Sequence, residues 1–140
     1  MSDFTVSIVR WSDNRAELVS VRRAVFIEEQ NVPESIELDG KDPDCRHVLA
    51  CDSSGAPVGT ARIDPTGKIG RMAVLPAYRG RGIGRQILLA AMDWGGANGI
   101  ADFHLSSQVS AVGFYEKMGF ETYGDEFEEA GIQHIRMRLR

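Results

Sequence analysis

The sequence predicts an α/β fold built on one mixed sheet, and two observations carry that prediction. Strand-like and helix-like segments interleave in the order β-α-β-β-β-α-β-α-β-β, separated by turns rich in glycine, proline and aspartate. In the middle, Lys68 to Gly84 (KIGRMAVLPAYRGRGIG) reads as a strand to Val74, a turn at Pro76 and a glycine-rich loop that opens a helix, GIGRQILLAAMDWG. The 140 residues are expected to form one domain over 1–140, large enough to bury a real core.

Phe4 to Val9 alternates weakly and reads as an edge strand. Asp13 or Asn14 is placed to cap the first helix, whose apolar face holds Leu18, Val19, Val25 and Phe26. Arg22 and Glu29 fall in the middle of that face, because residues seven apart return to within about 20° on a 3.6-residue helix. Their backbones would lie roughly 10 Å apart, a poor distance for direct pairing, so both are expected to line a polar cleft. Val32-Pro33 ends the helix. Glu34 to Asp44, with Glu37, Asp39, Asp42 and Asp44, reads as an acidic loop whose carboxylates are mostly solvated.

His47 to Cys51 and Pro57 to Asp64 read as a hairpin through Ser53-Ser54-Gly55. Asp64-Pro65-Thr66-Gly67 then turns the chain into the strand that ends at Val74. On the helix from Ile83 to about Ala97, one face carries Ile83, Ile87, Leu88, Ala91 and Trp94. Gly95-Gly96 weakens its end and Gly99 can terminate it. A strand over Asp102 to Ser106 and a helix over Ser110 to Met118 follow. Phe120 to Tyr123 is a strand, and a hairpin through Asp125 to Gly131 leads to the last one. There Ile135, Met137 and Leu139 alternate with His134, Arg136 and Arg138, the pattern of a strand buried on one face.

The formal net charge of −4 carries no electrostatic footprint for nucleic acid. Two cysteines are too few for a disulfide framework and are expected as free thiols in a reducing compartment. Met1-Ser2-Asp3 is not a charged leader and no apolar run is long enough for a membrane span. The reading is a soluble, cytoplasmic protein without a membrane partner.

Gly80, Gly82 and Gly84 leave the backbone bare where a helix begins. The first N–H groups of a helix lack intrahelical partners and carry the positive end of its dipole. Beside Arg79, Arg81 and Arg85 they make a site for a phosphate or pyrophosphate. A P-loop is excluded, because Gly84 is followed by Arg85 and Gln86. The dinucleotide fingerprint G-x-G-x-x-G fails from Gly80, where the third glycine would be Arg85, and from Gly82, where it would be Ile87. What remains is R-x-x-G-x-G from Arg79 to Gly84, directly after Arg71-Met72-Ala73-Val74. This resembles the acyl-CoA loop of the GNAT N-acetyltransferases. Downstream, Ser110-Ala-Val-Gly-Phe-Tyr115-Glu-Lys-Met-Gly119-Phe120 resembles the A-x-x-F-Y-E-K-x-G-F signature that follows that loop in the family. The segment Arg22 to Gln30, with Glu37, Asp39 and His47 after it, resembles the narrower ElaA-like branch.

The resemblance implies a GNAT-like fold: a mostly antiparallel, twisted mixed sheet with helices on both faces and a splayed central strand pair. It implies acetyl-CoA as cosubstrate and a small-molecule or peptide amine as acceptor, with the acetyl group passed by direct attack in a ternary complex. No metal is implied, and a homodimer is compatible with it. Met72, Ala73 and Val74 would meet the cofactor through main chain, and Arg79, Gly80, Arg81, Gly82, Ile83, Gly84 and Arg85 would surround its pyrophosphate. Gln108 stands where many members carry an asparagine on the cofactor arm, and Phe114 and Tyr115 would flank the acyl end. Tyr115 is the expected acid for the departing thiolate, with a phenol of about the ordinary pKa of 10. Glu29, Glu37, Asp39, His47 and His134 are the candidates to take the amine's proton. Arg22, Glu29, Glu37, Arg71 and His134 are the expected acceptor-side residues, Arg71 pointing opposite to Met72. The alternative is a non-catalytic acyl-CoA-binding module with the same fold.

Overall fold

A computed structural model describes residues 3–140. Seven strands form one sheet: β1 (Phe4–Arg10), β2 (Arg46–Asp52), β3 (Pro57–Ile63), β4 (Lys68–Val74), β5 (His104–Gln108), β6 (Phe120–Glu129) and β7 (Ile132–Leu139). Their order is β1-β2-β3-β4-β5-β7-β6, so β1 is an edge strand as its weak alternation suggests. All neighbours pair antiparallel except β4 and β5. The helices are α1 (Trp11–Arg22), which runs on as a π-helical segment over Arg23–Glu29, then the single turn α2 (Glu34–Glu37), α3 (Ile83–Ala97) and α4 (Val112–Lys117).

The core divides into two layers. On one face, Ile83, Ile87, Leu88 and Ala91 of α3 pack on Val48, Ala61, Ile63, Ile69, Leu105 and Met137 of the strands. Each fully buried side chain of this size stabilises by about 1.5–3 kcal/mol. On the other face Val21, Val25 and Phe26 pack against Ala73 and Leu75. Strand alternation therefore sends β7 residues Met137 and His134 to opposite faces, the first into the α3 layer.

Several boundaries differ from the sequence expectation. α1 starts at Trp11 with Arg10 as its N-cap and without a side-chain cap; Asn14 (φ −131°, ψ 29°) marks a kink inside it rather than its start. After Arg22 the chain widens into π geometry, with Gln30 N–H donating to the Val25 carbonyl. Five-residue spacing destroys the 3.6-residue phase on which a shared face for Arg22 and Glu29 depended. β5 begins at His104, two residues late, and β6 continues to Glu129 across an irregular register between Tyr123 and Phe127. Its turn is the tight pair Ala130-Gly131, both at positive φ, in place of the longer hairpin through Asp125.

Gly95 and Gly96 have different causes. A Cβ on Gly95 would lie 2.6 Å from the Phe103 ring and 3.2 Å from Ile63, whereas one on Gly96 meets nothing within 4 Å. Gly95→Ala should destabilise by about 1–3 kcal/mol through overpacking. Gly96→Ala should stabilise by roughly 0.5–1 kcal/mol through helix propensity. Urea unfolding of the two variants checks this; a stabilised Gly95→Ala would refute the close-packing role.

Candidate active site

β4 and β5 pair only at Lys68–His104 and Ile69–Leu105 and then diverge. On its other edge β4 stays with β3 but bulges: the register passes from Arg62–Gly70 to Thr60–Ala73, so that Arg71 and Met72 stand opposite Ala61 alone. Arg71 has φ 50°, the left-handed conformation that a bulge tolerates, and the Thr60 hydroxyl holds its carbonyl at 3.1 Å. The divergence opens a cleft of about 350 Å³. Gly70, Met72 and Val74 form one wall, Ser106 and Gln108 the other; Tyr115 lines it from α4, and Ile132 and His134 from β7.

The glycine-rich loop ends at α3, where Gly82 is the N-cap at φ 80° and no acidic side chain occupies the first turn. The first intrahelical bond is made by Gln86 N–H to the Gly82 carbonyl, which leaves the N–H groups of Ile83, Gly84 and Arg85 ahead of it. A Cβ on Gly80 or Gly82 would meet nothing within 4 Å, and Gly84 faces Phe114 at 3.6 Å and Val74 at 3.9 Å. The loop is thus an open cradle of backbone donors at a positive helix end, the geometry that suits a pyrophosphate.

The side chains around the cleft are arranged differently from the sequence expectation. Arg79 does not reach toward the cradle: it grips Glu29 through both terminal nitrogens (2.8 and 2.7 Å) and donates from Nε to the Val74 carbonyl at 2.9 Å. Val74 therefore presents a carbonyl that is already engaged. Arg81 lies over the Tyr78 ring, 5.4 Å from its centroid. Glu29 is exposed, and the hydrogen bonds from Arg79 hold its carboxyl below the usual range. Next to it Gln30, to which the sequence assigns no role beyond ending the ElaA-like segment, accepts from the Gln108 amide at 2.9 Å. Glu29 and Gln30 together tie the end of the π-helical segment to Arg79 of the glycine-rich loop and to Gln108 of β5.

Arg22 is 1% exposed and lines no cleft. It donates to the Glu37 carboxylate through Nε and to Asp42 at 2.7 and 3.2 Å. Of the acidic loop expected in solvent, Glu37 and Asp42 are buried. Arg62, also without a sequence signal, binds Asp39 at 2.9 and 2.6 Å and Asp42 at 3.0 Å. Arg71, which lines the cleft, reaches to the carbonyls of Ile36 and Glu37 and to Asp39 at 3.3 Å. These three arginines and three carboxylates fold α2 and its loop onto the sheet. Asp39 is consequently held ionised by Arg62 and Arg71, well below the carboxylate range despite its partial burial, with both oxygens engaged by those arginines. His47 is 1% exposed, beside the Trp11 ring and bonded to the Asp42 backbone carbonyl at 3.0 Å; burial keeps it neutral and away from the cleft.

Tyr115 and His134 do reach the cleft. Tyr115 sits edge-on to Phe114 and Phe120, with ring centroids at 5.0 and 6.1 Å, and burial pushes its phenol up to about 12. His134 stacks on Phe127 at 5.8 Å, with Nδ1 2.7 Å from the Ile132 carbonyl.

The architecture is an open, mostly antiparallel α/β sheet split beside a glycine-rich helix start. Residues 12–140 match the Acetyltransferase (GNAT) domain, and the chain belongs to the GNAT acetyltransferase family. Escherichia coli ElaA is similar at 33% identity, over 86% of this chain and 83% of that protein. Its crystal structure superposes with a TM-score of 0.86, covering 98% of this chain and 99% of that one. A Bacillus subtilis protein whose name assigns it provisionally to the acetyltransferases is 43% identical over 84% of this chain and 83% of its own. An acyl-CoA N-acyltransferase of Pseudomonas aeruginosa has a TM-score of 0.87 at 28% identity, covering 98% and 99% of the two chains.

Replacing Arg22 by Met should cost about 3 kcal/mol of stability at neutral pH, because two buried carboxylates each lose one of their two arginines. Burial opposes ionisation of Asp42, but the bonds from Arg22 and Arg62 prevail and set its folded pKa below the unfolded value. Its contribution is then full above about pH 4 and is lost as pH falls through the folded value. Urea titrations of parent and Arg22→Met from neutral to acid pH should converge downward; a pH-independent difference would refute the ion network.

Proposed function

We propose that this chain is an N-acetyltransferase that moves an acetyl group from acetyl-CoA to a primary amine of a small molecule or peptide, by direct attack. The single observation that carries the reading is the juxtaposition of two features: the cleft lined by the unpaired edge of β4, Arg79 and Tyr115, and the donor cradle at the start of α3, where Gly84 packs beside Phe114 and the cleft residue Val74. The cradle suits the pyrophosphate of the cosubstrate through the N–H groups of Ile83, Gly84 and Arg85. The freed edge of β4 from Gly70 to Met72 suits an amide-bearing arm that pairs as a strand would. Arg85 and Arg81 add charge near the cradle, while Arg79 braces the end of β4 through Glu29 and the Val74 carbonyl.

Direct transfer fits the residues present. The cysteines are Cys45, which is buried, and Cys51, and burial raises both thiols away from nucleophilic thiolate character. Tyr115 keeps its proton at neutral pH. Complete transfer from a phenol at about 12 to a thiolate with an ordinary value near 8.5 is uphill by roughly 5 kcal/mol. Tyr115 therefore serves by donating a hydrogen bond to the sulfur as charge develops there, and proton delivery follows as the thiolate becomes more basic in its dry surroundings.

Two measurements test this. Gly84→Asp places a carboxylate in the first turn of α3, where the helix dipole favours it. Stability should hold while acetyl-CoA affinity drops at least about tenfold in isothermal titration, since the carboxylate takes the anion's place; unchanged affinity would remove the cradle assignment. Tyr115→Phe should lower kcat by roughly 10²-fold with little change in acetyl-CoA affinity. A parent-like kcat, with chemistry shown to limit it, would leave the tyrosine only a packing role.

A further inference from the structure

Of the five groups that the sequence offers as acceptors of the amine's proton, four are already engaged. Glu29 spends its carboxylate on Arg79, Asp39 on Arg62 and Arg71, and His47 is enclosed between Trp11 and Asp42. Glu37, which does line the cleft, is ion-paired with Arg22. His134 alone among them combines a place on the cleft wall with an uncommitted ring nitrogen.

Its geometry sets that nitrogen's state. Nδ1 lies 2.7 Å from the Ile132 carbonyl, which accepts hydrogen bonds and cannot donate them. Nδ1 must therefore carry the hydrogen, and in the neutral ring Nε2 holds the lone pair. The ring is also fixed in plane, stacked at 23° on Phe127, with Arg136 on the same aromatic at 4.8 Å. Strand alternation places His134 on the sheet face opposite Met137 and the α3 layer, the face on which α2 sits. Tyr115 reaches the same cleft from the α4 side, packed against Phe120 in the α3 layer.

We infer that His134 is the general base for the acceptor, aimed by the Ile132 carbonyl and held by Phe127. This deepens the acetyl-transfer reading above and rests on it. Nε2 takes one proton from the bound ammonium, and the freed lone pair forms the C–N bond to the thioester carbon. The C–S bond breaks and its electron pair leaves on sulfur. The nitrogen sheds a second proton as the amide forms. One of the two protons ends on the thiol and the other is released to solvent, so the products are the amide, the free thiol and one proton. The charged or titratable side chains that line the same cleft are Glu37, Lys68, Arg71, Arg79, Tyr115 and Glu129, and Arg136 lies over the Phe127 ring on which His134 stacks.

The test compares acceptors of unequal basicity in one variant. His134→Gln keeps a donor for the Ile132 carbonyl but offers no comparable base. Free-thiol release is followed with primary alkylamines, benzylamine among them, and with weakly basic aryl amines, aniline among them, that are neutral at pH 7. The expected loss in kcat/KM is roughly 10²–10³-fold for the alkylamines and only a few-fold for the aryl amines, which have no ammonium proton to remove. Acetyl-CoA affinity by titration should match the parent. The ratio between the two amine classes is independent of how much variant is folded. An equal loss for both classes, or none, would overturn the base assignment while leaving acetyl transfer in place. A parent protein that binds acetyl-CoA and turns over neither class would overturn both.

Discussion

The divergence of β4 from β5 is the constraint on which the rest of this structure depends. Two residues of parallel pairing anchor the strands, and then β4 leaves one edge of its ladder open. Buried backbone donors and acceptors must be paired, so an unpaired strand edge inside a domain is tolerated only where solvent or a ligand completes it. The bulge at Arg71 makes the departure possible: one extra residue bends β4 while its other edge stays bonded to β3. Everything placed around the gap then acquires a role, the α3 start at one end and the β7 hairpin at the other.

Charged side chains hold the gap open by fixing what surrounds it. The cluster of Arg22, Arg62 and Arg71 with Glu37, Asp39 and Asp42 joins α1, α2, β3 and β4. Its members are mostly withdrawn from water, so each charge depends on the others. A second, more exposed tie runs from Glu29 and Gln30 to Arg79 and Gln108. Exposed pairs of this kind contribute little to stability, about 0–1 kcal/mol. Their interest is positional, since they link the π-helical segment to both sides of the cleft.

Ionisable residues near a family site thus divide by what they touch. Most serve structure, and two rings are left to face the opening from opposite sides of the sheet. That separation suits a reaction in which an amine loses protons on one side while a thiolate departs on the other.

The alternation of apolar residues and the glycine punctuation determined the architecture in advance. The strand from Lys68 to Val74 and the helix from Ile83 to Ala97 lie where those patterns put them, because both depend on local geometry and on which face is apolar. The glycine-rich helix start was legible for the same reason: φ near 80° at Gly80 and Gly82 is a property that the residue type announces. The fate of the charged residues was not legible. Arg22 and Glu29 share a face only if the helix stays at 3.6 residues per turn, and the chain instead widens to π geometry over Arg23–Glu29, where Val25 and Phe26 pack with Ala73 and Leu75. The partners of Arg62 lie 20 and 23 positions away in the chain, and those of Arg71 up to 35, so no periodicity could reveal them. Which histidine faces the cleft was likewise a tertiary outcome. His47 and His134 are both strand residues, and only the placement of β2 beneath α1 and of β7 beside the gap buries one ring and opens the other.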